Sequence, residues 1–276
     1  MYYVIQKNTF REENYNVLVD TLDRFNIQYE IVKVRPFLEE FEFVTDRKDI
    51  FCFGSVKMSR LAKKYNWYPG SLLNENHDYR VYSKYYKDNL LNYDSKIKKF
   101  GDEITDEYFF ARPCEDTKTF TGKVFTNEEW YEFKDRFIKS GQESSLNNNT
   151  EIQISSVKSV TKEFRFWVIG GKVITGSLYR NGYWINYSDI VDEGALEFCK
   201  DMVKIYQLAD AFVIDICEVL INNKPEYKII ECGCINSAGF YKANMPKLIE
   251  ALEIKFNEPV HNEYPWFDVD EYSNEK

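Results

Sequence analysis

With 276 residues, 44% hydrophobic and 29% charged positions, and 21 each of Tyr and Phe, the chain can fill a packed core and more than one domain, which excludes wholesale disorder. Its 36 Lys and Arg stand against 45 Asp and Glu, and a net charge of −9 gives no general attraction for nucleic acid or an anionic membrane. The six cysteines are scattered through apolar runs, no signal-like segment opens the chain, and no apolar stretch of about 18–20 residues is present, so buried free thiols in a cytoplasmic protein are expected.

The chain opens with a βαβ pattern: a strand at Tyr2-Tyr3-Val4-Ile5, a helix from Glu12 to Phe25 with Val17, Leu18, Leu22 and Phe25 on one face, and a strand from Tyr29 to Val34. A further strand from Asp49 to Phe53 ends in Gly54-Ser55 and runs into a helical pattern that closes at Asn66 to Gly70. Residues 76–106 are polar and aromatic with helical stretches. An apolar strand, Tyr108 to Ala111, then meets Arg112-Pro113, and a polar loop returns as a second strand. A helix at 127–139 and a solvated loop at 140–150 precede a strand at 151–155. Strands at 163–169 and 172–179, a helix at 193–206, strands at 211–217 and 227–232 with a turn at Asn222-Asn223-Lys224-Pro225, and a helix at 245–255 complete the pattern. The alternation predicts an α+β or α/β enzyme of more than one domain.

Three constellations carry chemistry. In the first, a strand delivers Arg112 at its tip and the loop that follows holds Lys118, Thr121 and Gly122, a composition suited to a hairpin that covers phosphates with a guanidinium fork and backbone N–H donors. An ordinary exposed hairpin with solvated charges is the alternative. In the second, Asp215 and Glu231 each sit among branched apolar residues on strands joined by a turn, where two adjacent carboxylates call for a hard divalent cation. One or both facing solvent is the alternative. Asn236, in a loop of small residues just beyond, offers an amide oxygen to the same cation. In the third, Glu163 and Arg165 share one strand face and a hairpin leads to Arg180, so that the two arginines converge on an anion or one of them pairs with Glu163.

In this order the pieces resemble the ATP-grasp superfamily, particularly ligases that join glutamate residues to an amine. Phe110-Ala111-Arg112-Pro113 and the loop through Lys118 to Gly122 resemble its phosphate-covering hairpin, with arginine in place of lysine as in a divergent clade common in phages and bacteria. The resemblance implies that Gln153, Ile154 and Ser155 meet adenine, that Glu163-Phe164-Arg165 and the strand ending in Arg180 face phosphate or an acyl phosphate, and that Asp215 and Glu231 hold Mg²⁺. That family places asparagine two positions after the glutamate, where this chain has Gly233, and Asn236 is assigned the amide role instead.

The resemblance therefore implies an α+β ATP-grasp fold: a small N-terminal α/β (pre-grasp) domain at 1–75, a central grasp subdomain at 76–155 and a C-terminal one with the metal site at 156–276. The expected activity is an ATP- and Mg²⁺-dependent carboxylate–amine ligase working through an acyl phosphate on small-molecule or protein substrates. A phosphotransferase using the same clamp and a non-catalytic nucleotide- or partner-binding module are the rival readings. The sequence leaves the substrates and the oligomeric state open.

Overall fold

The computed structural model describes residues 1–7, 9, 12–34, 43–116, 120–140, 146–221 and 224–257. Its first unit follows the predicted βαβ opening: β1 (Tyr2–Gln6), α1 (Glu12–Arg24), β2 (Tyr29–Val32), β3 (Ile50–Phe53) and α2 (Val56–Lys64). The three strands form a parallel sheet in the order β2-β1-β3. Parallel strands are covered on both faces, and Tyr3, Val4, Ile5 and all four residues of β3 are accordingly buried. After α3 (Tyr79–Tyr86), the second sheet is antiparallel, in the order β4-β7-β5-β6, from β4 (Lys96–Lys99), β5 (Tyr108–Pro113), β6 (Lys123–Thr126) and, past α4 (Asn127–Ser140), β7 (Glu151–Ser155). Trp130 of α4 is fully buried against Phe100, Phe109 and Phe125, an aromatic core in which each large side chain contributes about 1.5–3 kcal/mol.

The third sheet is a five-stranded antiparallel one: β8 (Lys162–Ile169), β9 (Lys172–Asn181), β10 (Trp184–Ser188), then α5 (Glu193–Ile205), β11 (Ala211–Ile221) and β12 (Lys224–Cys234), in the order β10-β9-β8-β11-β12. The last two strands run further than their apolar stretches, and Lys224 and Pro225 of the predicted turn are the first residues of β12, paired with Ile221 and Leu220; Asn222 and Asn223 lie outside the described residues, as do 141–145 of the loop predicted at 140–150. Strands β4 and β10, which lack a buried face, are additions to the predicted set.

One face of this sheet carries Phe164, Phe166, Phe212, Ile214 and Ile216 and packs on α5 together with Tyr79, Tyr82, Tyr86 and Leu90. The segment from Tyr79 to Leu90, expected in a central unit beginning at 76, thus contributes its tyrosines to the core of the third sheet. On the opposite face of the sheet, Trp167, Ile169, Ala211 and Val213 meet β1, β3, α1 and α6 (Met245–Phe256) in a single cluster. All six cysteines are buried and free, and no helix among the described residues is long and apolar enough to cross a membrane.

Candidate active site

Strand alternation puts the charges of the third sheet on the face opposite Phe164, Phe166, Ile214 and Ile216. In register, Ser177, Arg165, Asp215 and Glu231 form one row across β9, β8, β11 and β12, and Glu163 pairs with Arg180 in a neighbouring row. The sequence-predicted carboxylates are therefore adjacent. Three register shifts lie at the same place: Tyr179 is the extra residue between Arg180 and Leu178, Ile230 the extra residue opposite the Asp215–Ile216 step, and β10 shifts between Ile185 and Ser188. Each bulge bends its strand and re-aims the side chains beside it.

Asp215 is 3% and Arg165 8% exposed, and they form a two-pronged pair: Arg165 Nε donates to Oδ1 at 2.7 Å and Nη2 to Oδ2 at 2.7 Å. Arg165 Nη1 also donates to the Gly239 carbonyl at 3.3 Å, and its guanidinium lies over the Tyr241 ring, 4.9 Å from the centroid. Burial disfavours the Arg165 cation, but the charge of Asp215 and the hydrogen bonds to it outweigh burial and raise its pKa. Expected to face phosphate, Arg165 is committed to Asp215 instead, because a buried carboxylate needs a partner.

Arg112 reaches across from β5 and pairs with Glu231, so the base of the predicted hairpin abuts the two acidic strands. Glu163 lies 3.4 Å from Arg180, the pairing that the third constellation left open. Burial pushes the Glu163 carboxyl above the usual carboxylate range; a hydrogen bond from Tyr179 and the charge of Arg180 oppose this, while Asp215 and Glu231 add to it.

Several expectations are corrected. Asn236 is 1% exposed, and its carboxamide is spent elsewhere: Oδ1 accepts from Leu72 N at 2.8 Å, and Nδ2 donates to the Cys52 carbonyl at 2.7 Å and the Gly70 carbonyl at 3.2 Å. It ties the first sheet to the loop after β12 and is not turned to the carboxylates. Gln153, Ile154 and Ser155 fall on β7, an interior strand; β4 and β5 flank Gln153 and Ile154 on both edges, and Ser155 Oγ donates to Asn92 Oδ1 at 3.1 Å. Gln153 and Ile154 have no free backbone edge for a purine. Gly122 has a packing reason to be glycine: a Cβ there would lie 2.8 Å from Phe110 Cζ and 3.0 Å from Arg112 Cβ. Thr121 lines the cavity that holds Arg180, and Lys118 lies outside the described residues.

Sequence reading missed Asp116. Buried in the loop after Arg112, it accepts the Cys234 backbone N–H at Oδ2, 2.9 Å away, and so fastens that loop to the end of β12. A Cβ at Gly233 would lie 3.5 Å from the same oxygen and 3.3 Å from Val213 Cγ2, so Asp116 takes up room beside the position where the resembling family carries asparagine. The signal was an acidic residue in an Arg-Pro-Cys-Glu-Asp run that is buried rather than solvated.

A cavity of about 490 Å³ opens next to these groups. Thr121, Tyr179, Arg180, Ile185, Tyr187 and Tyr241 line it, together with Thr9 and Asn14. The Tyr241 ring stacks with Tyr179, centroids 4.9 Å apart, and with Tyr187, 5.3 Å apart. The Tyr241 backbone has φ 49°, an unusual conformation for a bulky residue, held by this stack and by Arg165. The Tyr179 hydroxyl, 3.5 Å from Asp215 Oδ2, joins the cavity to the row of charges.

Two neighbouring carboxylates suit a hard dication that takes its other ligands from nucleotide phosphates and water. Among the described residues no group of three or more His, Cys, Asp or Glu is arranged to hold a metal.

Residues 93–251, more than half of the chain, match a family model described as an ATP-grasp domain, family 2 of its clade. The chain belongs to this ATP-grasp family. As an ATP-grasp enzyme it shares its fold with D-cycloserine synthetase DcsG (TM-score 0.58, 10% identity, covering 91% of this chain and 98% of that one). It is similar in the same way to the D-alanine–D-alanine ligase of Bacillus anthracis (TM-score 0.58, 10% identity, 92% and 93%) and to the ATP-grasp ligase PsnB complexed with minimal precursor (0.53, 10%, 92% and 98%). No curated protein sequence matches the chain significantly.

Proposed function

We propose that this ATP-grasp enzyme is a carboxylate–amine ligase: ATP phosphorylates an acceptor carboxylate, an amine attacks the acyl phosphate, and an amide, ADP and phosphate are released. The observation that carries this reading is the row Arg165–Asp215–Glu231 with Arg112 set against its acidic end and Arg180 at a cavity beside it. The similar structures named for a D-alanine–D-alanine ligase and a D-cycloserine synthetase support the same class of chemistry.

Asp215 and Glu231 would hold Mg²⁺, which would offset charge on the transferred phosphoryl group. The chain's own contribution is an exchange of partners. Arg112 and Glu231 neutralise each other; the Arg112 fork is free to turn to a nucleotide phosphate, a better match for its geometry, and Glu231, so released, would be one of the residues that hold the cation. Arg165 stays on Asp215 and keeps it aimed. Arg180, half exposed at the cavity, receives the acceptor carboxylate and then the developing negative charge as phosphate is transferred. Glu163, released from Arg180 by that carboxylate and with its affinity for protons raised by burial, takes the proton that the attacking amine gives up. For adenine, the first backbone of β7 that is not flanked on both edges is at Ser155, which pairs with β5 alone.

The test is ADP release and mass spectrometry of products with Mg-ATP and pools of carboxylates and amines. An amide-linked product with stoichiometric ADP is the expected outcome, and Asp215→Asn and Glu231→Gln should each lose at least about a hundredfold in turnover, in keeping with the loss of one charge-stabilising group. Full turnover in either variant would overturn the assignment of the pair.

A further inference from the structure

The five-stranded sheet ends at β10, and among the described residues no strand pairs with its outer edge. Proteins usually blunt such an edge with lysine, proline or a covering loop, because its open N–H and C=O groups invite another chain. Here the edge does the opposite. Tyr183 is fully exposed, Trp184 80% and Ile185 63% exposed, and Ile190 just beyond is also exposed; the stretch 181–190 contains one charged residue, Asp189. Clustered exposed aromatics mark interaction surfaces, and Trp and Tyr are the residues that carry most binding energy at them.

The edge is continuous with the cavity. Ile185 stands opposite Arg180 in the β9–β10 register and both line the cavity, while Trp184, one residue away on the strand, belongs to the opposite face. The register shift between Ile185 and Ser188 turns the strand so that Tyr187 also reaches the cavity. A free amino acid in the cavity would leave Tyr183 and Trp184 bare.

We propose that β10 is the docking edge for a polypeptide acceptor. An extended segment adds to the sheet beside β10, its alternate side chains meet Ile185 on one face and Trp184 on the other, and one carboxylate of the segment reaches Arg180. What then happens to that carboxylate rests on the ligase reading above; the docking does not.

The test uses the full chain and a displayed library of random octapeptides that each contain one Glu or Asp. Recovered peptides, synthesised singly, should slow hydrogen exchange of the backbone amides of 184–188, which glutamate alone should not do. The double variant Tyr183→Ser/Trp184→Ser, altered only at exposed positions outside the cavity lining, should keep its melting temperature and Mg-ATP affinity and bind the peptides roughly tenfold or more weakly. A selection that returns no binder, peptides that protect only other segments, or equal binding by the double variant overturns the proposal. Protection of 184–188 without peptide-dependent ADP release leaves docking standing and removes the ligase reading. Amide formation on free glutamate with no protection of 184–188 does the reverse.

Discussion

At the scale of single residues, the site is governed by what a buried charge requires. Asp215 and Arg165 are both nearly inaccessible and satisfy each other twice. Removing one leaves the other uncompensated, which costs about 3–5 kcal/mol, whereas replacing both with apolar groups is often close to neutral. Arg165→Met should therefore lower stability by about that amount in urea unfolding, and Arg165→Met/Asp215→Leu should recover most of the loss; a single variant within about 1 kcal/mol of wild type would contradict the pairing. Glu163 gives a pH-dependent counterpart. Because its folded pKa is raised, chiefly by burial, the folded chain holds this proton more tightly than the unfolded chain does. Stability is unaffected by the group well below the ordinary glutamate pKa of about 4.3, and falls as pH rises from there until the raised folded pKa is passed. Glu163→Gln lacks that loss. Its stability relative to wild type should grow as the pH of unfolding is raised from about 4 towards neutrality and then level off. A difference that is constant over this range, or that shrinks with rising pH, would show that burial does not dominate at Glu163.

At the scale of elements, the hairpin base and the bulges decide where these groups meet. Gly122 lets Phe110 and Arg112 pass close by, and Asp116 holds the loop between them and β12 through Cys234 N. Gly122→Ala should cost about 1–3 kcal/mol by overpacking and displace Arg112, so calorimetry should record weaker Mg-ATP binding, with part of the affinity restored by adding Phe110→Leu. Unchanged affinity in Gly122→Ala would mean that the hairpin adjusts without moving Arg112. Much of this arrangement was legible in the chain. Alternation in Glu163-Phe164-Arg165-Phe166 places two charges opposite two rings, and Ile214-Asp215-Ile216 and Ile230-Glu231-Cys232 repeat the device, so the charged face and its carboxylates followed from period alone. The register did not follow, since a bulge at Tyr179 or Ile230 leaves no mark in a strand's polarity yet changes which residues stand opposite. Strand β10 was invisible for a related reason: both of its faces are largely exposed, so it lacks the apolar alternation by which a strand is read. The interior position of β7 depends on pairing with β4, a strand of four residues with three lysines, and long-range pairing is not written locally.

At the scale of the whole molecule, Asn236 shows how one side chain that looked like chemistry serves assembly. Its backbone carbonyl accepts from Gly54 N at 2.8 Å, and its carboxamide closes hydrogen bonds to Cys52, Gly70 and Leu72, so the loop after β12 is bolted to the parallel sheet by a single buried residue. This joint holds in place the surroundings of the cavity, which takes Thr9 and Asn14 from the first unit and Arg180 and Tyr241 from the third. The joint is polar beside an apolar cluster that includes Phe53, Ile235 and Phe240, and in such surroundings an unmet donor or acceptor costs about 1–3 kcal/mol. Asn236→Ala leaves the Cys52 carbonyl and the Leu72 N–H short of a partner together, and should destabilise the chain by about 2–5 kcal/mol in urea unfolding. The same variant, measured at a temperature where it remains folded, should require the same Mg²⁺ concentration for half-maximal nucleotide binding as the wild type. The two measurements separate assembly from metal binding: a roughly tenfold rise in that Mg²⁺ requirement with stability nearly intact would return Asn236 to the metal, whereas lost stability with an unchanged requirement leaves the protein's share of the cation to Asp215 and Glu231.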